Sequence, residues 1–174
     1  MLRVNHFGFC LYYTNTMYPS SDQLLNYEDN HTVAFFTAPF EPFDNFSAHT
    51  INIWGKEFKT AEHTYQWKKF SETDPDIAER IAVAGSPWLV KRISHANSNR
   101  LAHWDAIKVQ IMKEIIVAKV AQHEDLREML LQTGNKTIVK NSPIDSFWGI
   151  GSDGKGKNMM GEIFMEVRDQ LSQL

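Results

Sequence analysis

The segment TAEHTYQWKKF, residues 60–70, carries Glu62, Tyr65, Gln66 and Lys69 at i, i+3, i+4 and i+7. On a helix that spacing sets a carboxylate, a phenol, an amide and an ammonium along one stripe. Such a stripe can exchange a proton or hold an anion, whereas its ordinary alternative is a solvated face of Glu and Lys. The flanking Trp67 and Phe70 favour burial. His63 lacks the second helical histidine of H-E-x-x-H, so no metal site is expected there.

A second stretch, DSFWGIGSDGKGKN at 145–158, fits two nucleotide motifs at once. Gly149 to Gly154 reads as G-x-G-x-x-G, and Gly151 to Lys157 as the phosphate loop G-x-x-x-x-G-K with Asn158 in place of Ser or Thr. The dinucleotide fingerprint needs a second strand bearing an acidic residue about 20 positions on. The sequence ends at Leu174 and leaves no room for it. The phosphate loop needs a hydroxyl for magnesium and a downstream Asp, and it follows a buried strand rather than SPIDSFW. Neither is expected. What both motifs share is an open glycine backbone leading into a helix N-terminus, which suits an anion; a plain surface turn is the alternative. Asp145 and Trp148 stand just upstream. They bring a carboxylate and a flat ring, unless Asp145 only starts a turn and Trp148 is core. In a third stretch, Asn45, Phe46 and Ser47 set polar groups beside an aromatic, as hydrogen bonding to a heterocycle or ribose would require.

The elements that must position these residues are mostly helical. Thr60 is a candidate N-cap for 61–71, Asp74-Pro75 starts 75–84 and Ser86-Pro87 starts 87–93. Leu101, Trp104, Ile107, Ile111, Ile115 and Ala118 predict a long helix over 99–122, and 123–132 is a shorter one ended by Gly134. Residues 136–140 read as a strand. Met160, Ile163, Val167 and Leu171 predict a final amphipathic helix. Before residue 60 the dense aromatics, Phe35, Phe36, Phe40, Phe43 and Phe46, with Pro39 and Pro42, predict loops and short strands with the rings packed inward. Residues 1–34 suggest one or two short strands. The expected fold is a single helix-rich α+β domain.

With 174 residues, 43% hydrophobic and 22% charged, the chain can bury one proper core. A net charge of −3 gives no basic footprint for wrapping a duplex. Cys10 has no partner for an internal disulfide, and no apolar run approaches the roughly 18 residues of a membrane span. A reducing, cytoplasmic setting without membrane contact is expected.

In this order the stretches resemble the NADAR family, also called YbiA-like, whose name refers to a proposed link with NAD and ADP-ribose. The matching residues are DNFS at 44–47, GKEFKTAEHTYQWKK at 55–69, Trp104, Met112 and Lys119, TG at 133–134, SPIDSFWGIG at 142–151 and GKGKNMMGEIFMEVR at 154–168. The resemblance implies a YbiA-like α+β domain with its family core at 35–172 and a divergent extension at 1–34. Lys140 departs from an acidic residue common in the family.

The resemblance also implies an N-glycosidase, a hydrolase of the C1′–N bond beside a phosphorylated ribose. Its substrate would be either an ADP-ribosylated nucleobase such as guanine, free or within DNA or RNA, or a phosphorylated intermediate of riboflavin synthesis. Glu62 and Asp145 would be the catalytic carboxylates. Asn45, Phe46, Ser47, Tyr65, Gln66, Lys69, Trp148, Gly149, Gly151, Gly154, Gly156 and Asn158 would bind substrate, the glycine loop as a ribose-phosphate cradle. Neither a metal nor a cofactor is implied, and the sequence leaves the oligomeric state open. The rival reading is a non-catalytic module that binds ADP-ribose or a related nucleotide.

Overall fold

The computed structural model describes residues 25–36 and 41–173. The expectations for residues 1–24, Cys10 included, and for Pro39 and Phe40 lie outside that range. The described elements are β1 (Tyr27–Glu28), β2 (Thr32–Phe35), a 3-10 turn (Glu41–Phe43), β3 (Ile51–Ile53), β4 (Lys56–Phe58), α1 (Ala61–Lys68), α2 (Pro75–Ala82), α3 (Pro87–His95), α4 (Trp104–Gln122), α5 (Glu124–Gln132), β5 (Thr137–Lys140) and α6 (Met159–Leu171). This is the helix-rich α+β arrangement expected from the sequence.

Strand β2 lies between β1, which pairs with it antiparallel, and β5, which pairs with it parallel, Thr32 opposite Thr137 and Phe35 opposite Lys140. A parallel pair needs a long crossover, and α1 to α5 supply it. The chain therefore leaves β2 and β5 at the same end of the sheet, so the loops carrying DNFS and SPIDSFWGIG start side by side. Asn141 N donates to Phe35 O at 2.7 Å and extends the pairing by one residue. The β3–β4 hairpin turns through Trp54 and Gly55, both with positive φ, and delivers the chain into α1.

Three helix starts are fixed by side-chain caps at the predicted residues. Thr60, Asp74 and Ser86 accept hydrogen bonds from the N–H groups of His63, Ile77 and Leu89, and Pro75 and Pro87 occupy the first turns that follow. The long helix α4 starts at Trp104 rather than Asn99. Tertiary bonds claim the intervening backbone: Leu101 N donates to Lys69 O at 2.8 Å, and Asn99 exchanges side-chain and carbonyl bonds with Thr73.

The main core packs α4 and α6 against the sheet around Phe35, Phe43 and Phe164, whose ring centroids lie 5.0–5.9 Å apart. A second cluster, with Phe70, Ile81 and Val90, joins α1, α2 and α3. Phe36 and Phe46 are half-buried rather than core. The last helix buries Met160, Ile163 and Val167 as expected, and Arg168 reaches from it to Thr133 Oγ1 and Lys136 O, both at 2.8 Å.

One residue of α4 breaks its apolar face. Lys119 has no exposed surface, and its ammonium donates to Pro42 O at 2.6 Å, Asp44 O at 2.9 Å and Ser47 Oγ at 2.7 Å. These bonds hold the loop after β2 on the central helix. Replacing Lys119 with Met keeps the stem but strands those three acceptors. We expect Lys119→Met to lose roughly 3 kcal/mol of unfolding free energy in urea titrations. A loss below about 0.5 kcal/mol would mean that the ammonium does not hold the loop.

Candidate functional site

A cavity of about 270 Å³ opens where the loops after β2 and β5 meet α1. The stripe read from the sequence, Glu62, Tyr65, Gln66 and Lys69, lines it from α1. Asp44, Asn45 and Phe46 line it from the loop after β2, and Lys140, Asp145 and Trp148 from the end of β5 and the loop beyond. Lys91 and His95 of α3 and Met112 of α4 complete the wall. Helix α1 meets the first loop through a backbone bond, Glu62 N to Asn45 O at 3.0 Å.

Glu62 is only 6% exposed, and its Oε1 accepts from Gln66 Nε2 at 2.7 Å. The amide is in turn oriented by Ser94 Oγ, which donates to Gln66 Oε1 at 2.6 Å. A hydrogen-bonded chain from α3 thus fixes the carboxylate. Asp145 Oδ1 accepts from Phe147 N at 3.0 Å and Trp148 N at 2.8 Å, so one oxygen shapes the turn, and its second oxygen has no hydrogen-bond partner among the described residues. Asn45 Oδ1 is buried without a hydrogen bond, while its Nδ2 has only the weak acceptor Met112 Sδ at 3.8 Å. A buried amide oxygen left so is costly unless a ligand donates to it.

Lys69 rests on two aromatic faces, its Nζ 5.1 Å from the Tyr65 centroid and 5.7 Å from that of Trp104. Among the described residues no carboxylate lies within 4 Å of it. Burial brings its pKa down to about 8, against the opposing pull of Glu62, and the positive charges of Arg100 and Lys91 push the same way as burial. Burial raises the Tyr65 phenol above its ordinary range, so the ring serves as a neutral wall. Trp148 meets Tyr65 edge to face at 5.6 Å and 89°.

The glycine loop does something other than what its motifs suggest. Gly149, Gly151, Gly154, Gly156 and Asn158 do not line the cavity. The loop folds on itself: Gly151 N donates to Asp145 O, Gly156 N to Ile150 O and Asn158 N to Gly149 O. A Cβ on Gly149 would come within 2.6 Å of Lys140 O, and one on Gly156 would overlap the Gly149 carbonyl. These glycines allow backbone to pack on backbone. The start of α6 is covered too, because Met159 N and Met160 N donate to Phe147 O and Trp148 O. Asn158 occupies a left-handed conformation and bridges β5, accepting from Lys140 N and donating to Ile138 O, each at 2.9 Å. In this cavity the loop is a support that carries Asp145 and Trp148 rather than part of the wall. Ser47 also stays out of the cavity wall and serves as an acceptor for Lys119.

Sequence reasoning missed Lys91, His95 and the orienting Ser94, because a capped amphipathic helix accounts for the whole of α3 without a site. His63 is a structural residue: Thr60 Oγ1 lies 2.8 Å from its Nδ1 and Ala84 O 3.1 Å from its Nε2, and burial lowers its pKa. Among the described residues His49, His123 and Asp125 form the one cluster of metal-ligating types, outside the cavity wall. They are engaged in hydrogen-bond contacts, His49 Nε2 3.0 Å from Asp125 Oδ2 and His123 Nε2 2.6 Å from Thr50 O. No described helix is long and apolar enough to cross a membrane.

Comparison with known proteins identifies the family and the fold. The family description "NADAR domain" matches residues 27–172, a start that takes in β1 and β2 ahead of the expected boundary at 35. The chain is 38% identical over 147 residues to an N-glycosidase of Nostoc punctiforme, covering 82% of this chain and 94% of that protein. It is 38% identical over 131 residues to N-glycosidase YbiA of Escherichia coli, covering 75% and 81%. The NMR structure of the E. coli YbiA protein superposes with a TM-score of 0.75 at 32% identity, over 87% of this chain and 90% of that one. A chloroplastic riboflavin biosynthesis protein of Zea mays, PYRR, is 30% identical over 169 residues, which span 88% of this chain and 27% of that protein. With a family match across nearly the whole described chain and the YbiA fold beneath the site, this chain belongs to the NADAR family.

Proposed function

We propose that the chain is an N-glycosidase that hydrolyses the C1′–N bond of a phosphorylated riboside. The observation that carries this reading is the meeting, in one cavity, of two carboxylates from distant segments, Glu62 and Asp145, with the Lys69 ammonium and the Trp148 ring. Relatives named as N-glycosidases support it.

Cleaving such a bond builds positive charge on the ribosyl carbon, and carboxylates beside that carbon stabilise it. In our reading Glu62 and Asp145 flank C1′. One takes a proton from the attacking water as the oxygen bonds to C1′. The C1′–N bond breaks with its electron pair on nitrogen, and that nitrogen gains a proton from an acid in the site. Lys69, with a pKa of about 8, is cationic at neutral pH and suits either the donor role or an anion contact. The unpartnered Asn45 Oδ1 accepts a ribose hydroxyl. Trp148 stacks on the base or walls the sugar, with Phe46, Tyr65 and Gln66 closing the pocket around it. The leaving base belongs either to an ADP-ribosylated nucleobase or to a phosphorylated riboflavin intermediate. The likeness to a riboflavin biosynthesis protein supports the second option.

The test is release of free base, followed by mass spectrometry, from ADP-ribosylated guanosine and from the riboflavin intermediates. Glu62→Gln and Asp145→Asn keep size, and Asn can still cap the Phe147 and Trp148 N–H groups. Each should lower kcat at least about 100-fold while the product still binds. A module that only binds nucleotide would release no base even as wild type.

The Lys69 ammonium also sets a pH signature. Its pKa lies below the ordinary lysine value, so the charged form is present below about pH 8 and lost above it. We expect log(kcat/KM) to fall with rising pH from about 8, and that limb to disappear in Lys69→Arg, which stays charged. A wild-type profile flat to about pH 10 would remove the ammonium from the mechanism.

A further inference from the structure

Outside the cavity, three side chains from separate segments converge. His49 precedes β3, His123 joins α4 to α5, and Asp125 lies in the first turn of α5. One ligand atom from each lies within 4.8 Å of the other two. The two imidazole rings meet edge to face, their centroids 4.8 Å apart at 89°. Both histidines are half-buried and the carboxylate is exposed, so the cluster is held from within and open to solvent on one side.

The hydrogen bonds around the cluster leave a lone pair on each imidazole. Ser47 Oγ gives its one proton to Asp44 O at 2.9 Å and accepts from Lys119 Nζ at 2.7 Å. Its remaining lone pair takes His49 Nδ1–H at 3.0 Å. In the neutral ring the lone pair of Nε2 then faces Asp125 Oδ2, 3.0 Å away. Two lone pairs at that distance repel unless a proton or a metal ion lies with them. On His123, Nε2–H donates to Thr50 O at 2.6 Å, and Nδ1 has no hydrogen-bond partner among the described residues. An imidazole that gives one N–H to a protein oxygen and keeps its other nitrogen bare is oriented as metal-ligating histidines are.

The donor set selects the ion. Two imidazoles with a carboxylate suit Zn²⁺ and its late first-row neighbours, whereas Mg²⁺ and Ca²⁺ prefer oxygen alone. Around tetrahedral Zn²⁺, ligand atoms about 2.0–2.1 Å from the ion lie roughly 3.3 Å from one another. The 3.0 Å between His49 Nε2 and Asp125 Oδ2 is close to that spacing. We propose that His49, His123 and Asp125 form a divalent transition-metal site of the zinc type, which clamps the chain entering β3 to the α4–α5 junction. None of the three lines the cavity, so the site stands apart from the N-glycosidase reading. It braces that cavity from behind, because His49 also bonds Ser47 in the loop that carries Asn45 and Phe46.

The experiment is isothermal titration of the untagged full chain, first stripped with chelator, with Zn²⁺ and separately with Mg²⁺. Wild type is compared with His49→Gln, His123→Gln, Asp125→Asn and His103→Gln, the last removing an exposed histidine elsewhere. We expect wild type to bind Zn²⁺ but not Mg²⁺, and to melt at a higher temperature with Zn²⁺ present. His123→Gln should weaken Zn²⁺ at least about tenfold and abolish the rise in Tm. His49→Gln and Asp125→Asn should also weaken it, and His103→Gln should leave it unchanged. Asp125 is exposed, so its variant keeps the test decisive even where a histidine variant fails to fold. Absence of Zn²⁺ binding by wild type, wild-type affinity in both His123→Gln and Asp125→Asn, or an equal loss in His103→Gln would each overturn the site.

Discussion

A lysine ammonium with no exposed surface must be surrounded by oxygens, or its desolvation would unfold the region around it. Lys119 meets that demand with two backbone carbonyls and a hydroxyl, all from residues 42–47. The loop is thereby bound to the middle of the fold by charge as well as by the apolar packing of Phe43. Asn45 and Phe46 ride on it, and the Asn45 carbonyl in turn receives the N–H of Glu62. Much of the cavity depends on this anchor. It also lets Asn45 keep an unpartnered amide oxygen, because the backbone on either side is held independently of the side chain.

The sheet supplies the other half of the arrangement. Parallel pairing of β2 and β5 brings two loops far apart in sequence to one edge, where open α/β sheets commonly bind ligands. The loop after β5 is rigid for a backbone reason: its glycines let carbonyls approach where a side chain would collide, and Asn158 ties it to β5. On that support Asp145 keeps one oxygen for the turn and leaves the other without a hydrogen-bond partner among the described residues. Facing it, the chain from Ser94 through Gln66 to Glu62 orients the second carboxylate. A site that develops positive charge in its transition state benefits from carboxylates fixed in advance, since little reorganisation then remains for the reaction itself.

Much of this was legible in the sequence wherever local physics decides the outcome. The caps Thr60, Asp74 and Ser86 mark helix starts because each side chain satisfies its own first turn, and the stripe from Glu62 to Lys69 follows from helical geometry alone. The family resemblance added the pairing of that stripe with Asp145. What could not be read depends on tertiary neighbours. Nothing in G-x-G-x-x-G says whether an open backbone approaches a phosphate or another carbonyl, and here the neighbour is Lys140 O. Ser94 and Lys91 look like ordinary helix surface until α3 is placed beside α1. The start of α4 was misread for a similar reason, as bonds to Thr73 and Lys69 pull 99–101 out of a helix that their sequence would permit.

The account stands on water attacking the ribosyl carbon while the base leaves with the electron pair of the C1′–N bond. Turnover in water enriched in oxygen-18, with both products weighed by mass spectrometry, tests that most directly. The account predicts one labelled oxygen in the ribosyl product and none in the released base. Label in the base, or intact substrate after prolonged incubation with folded protein, would contradict it.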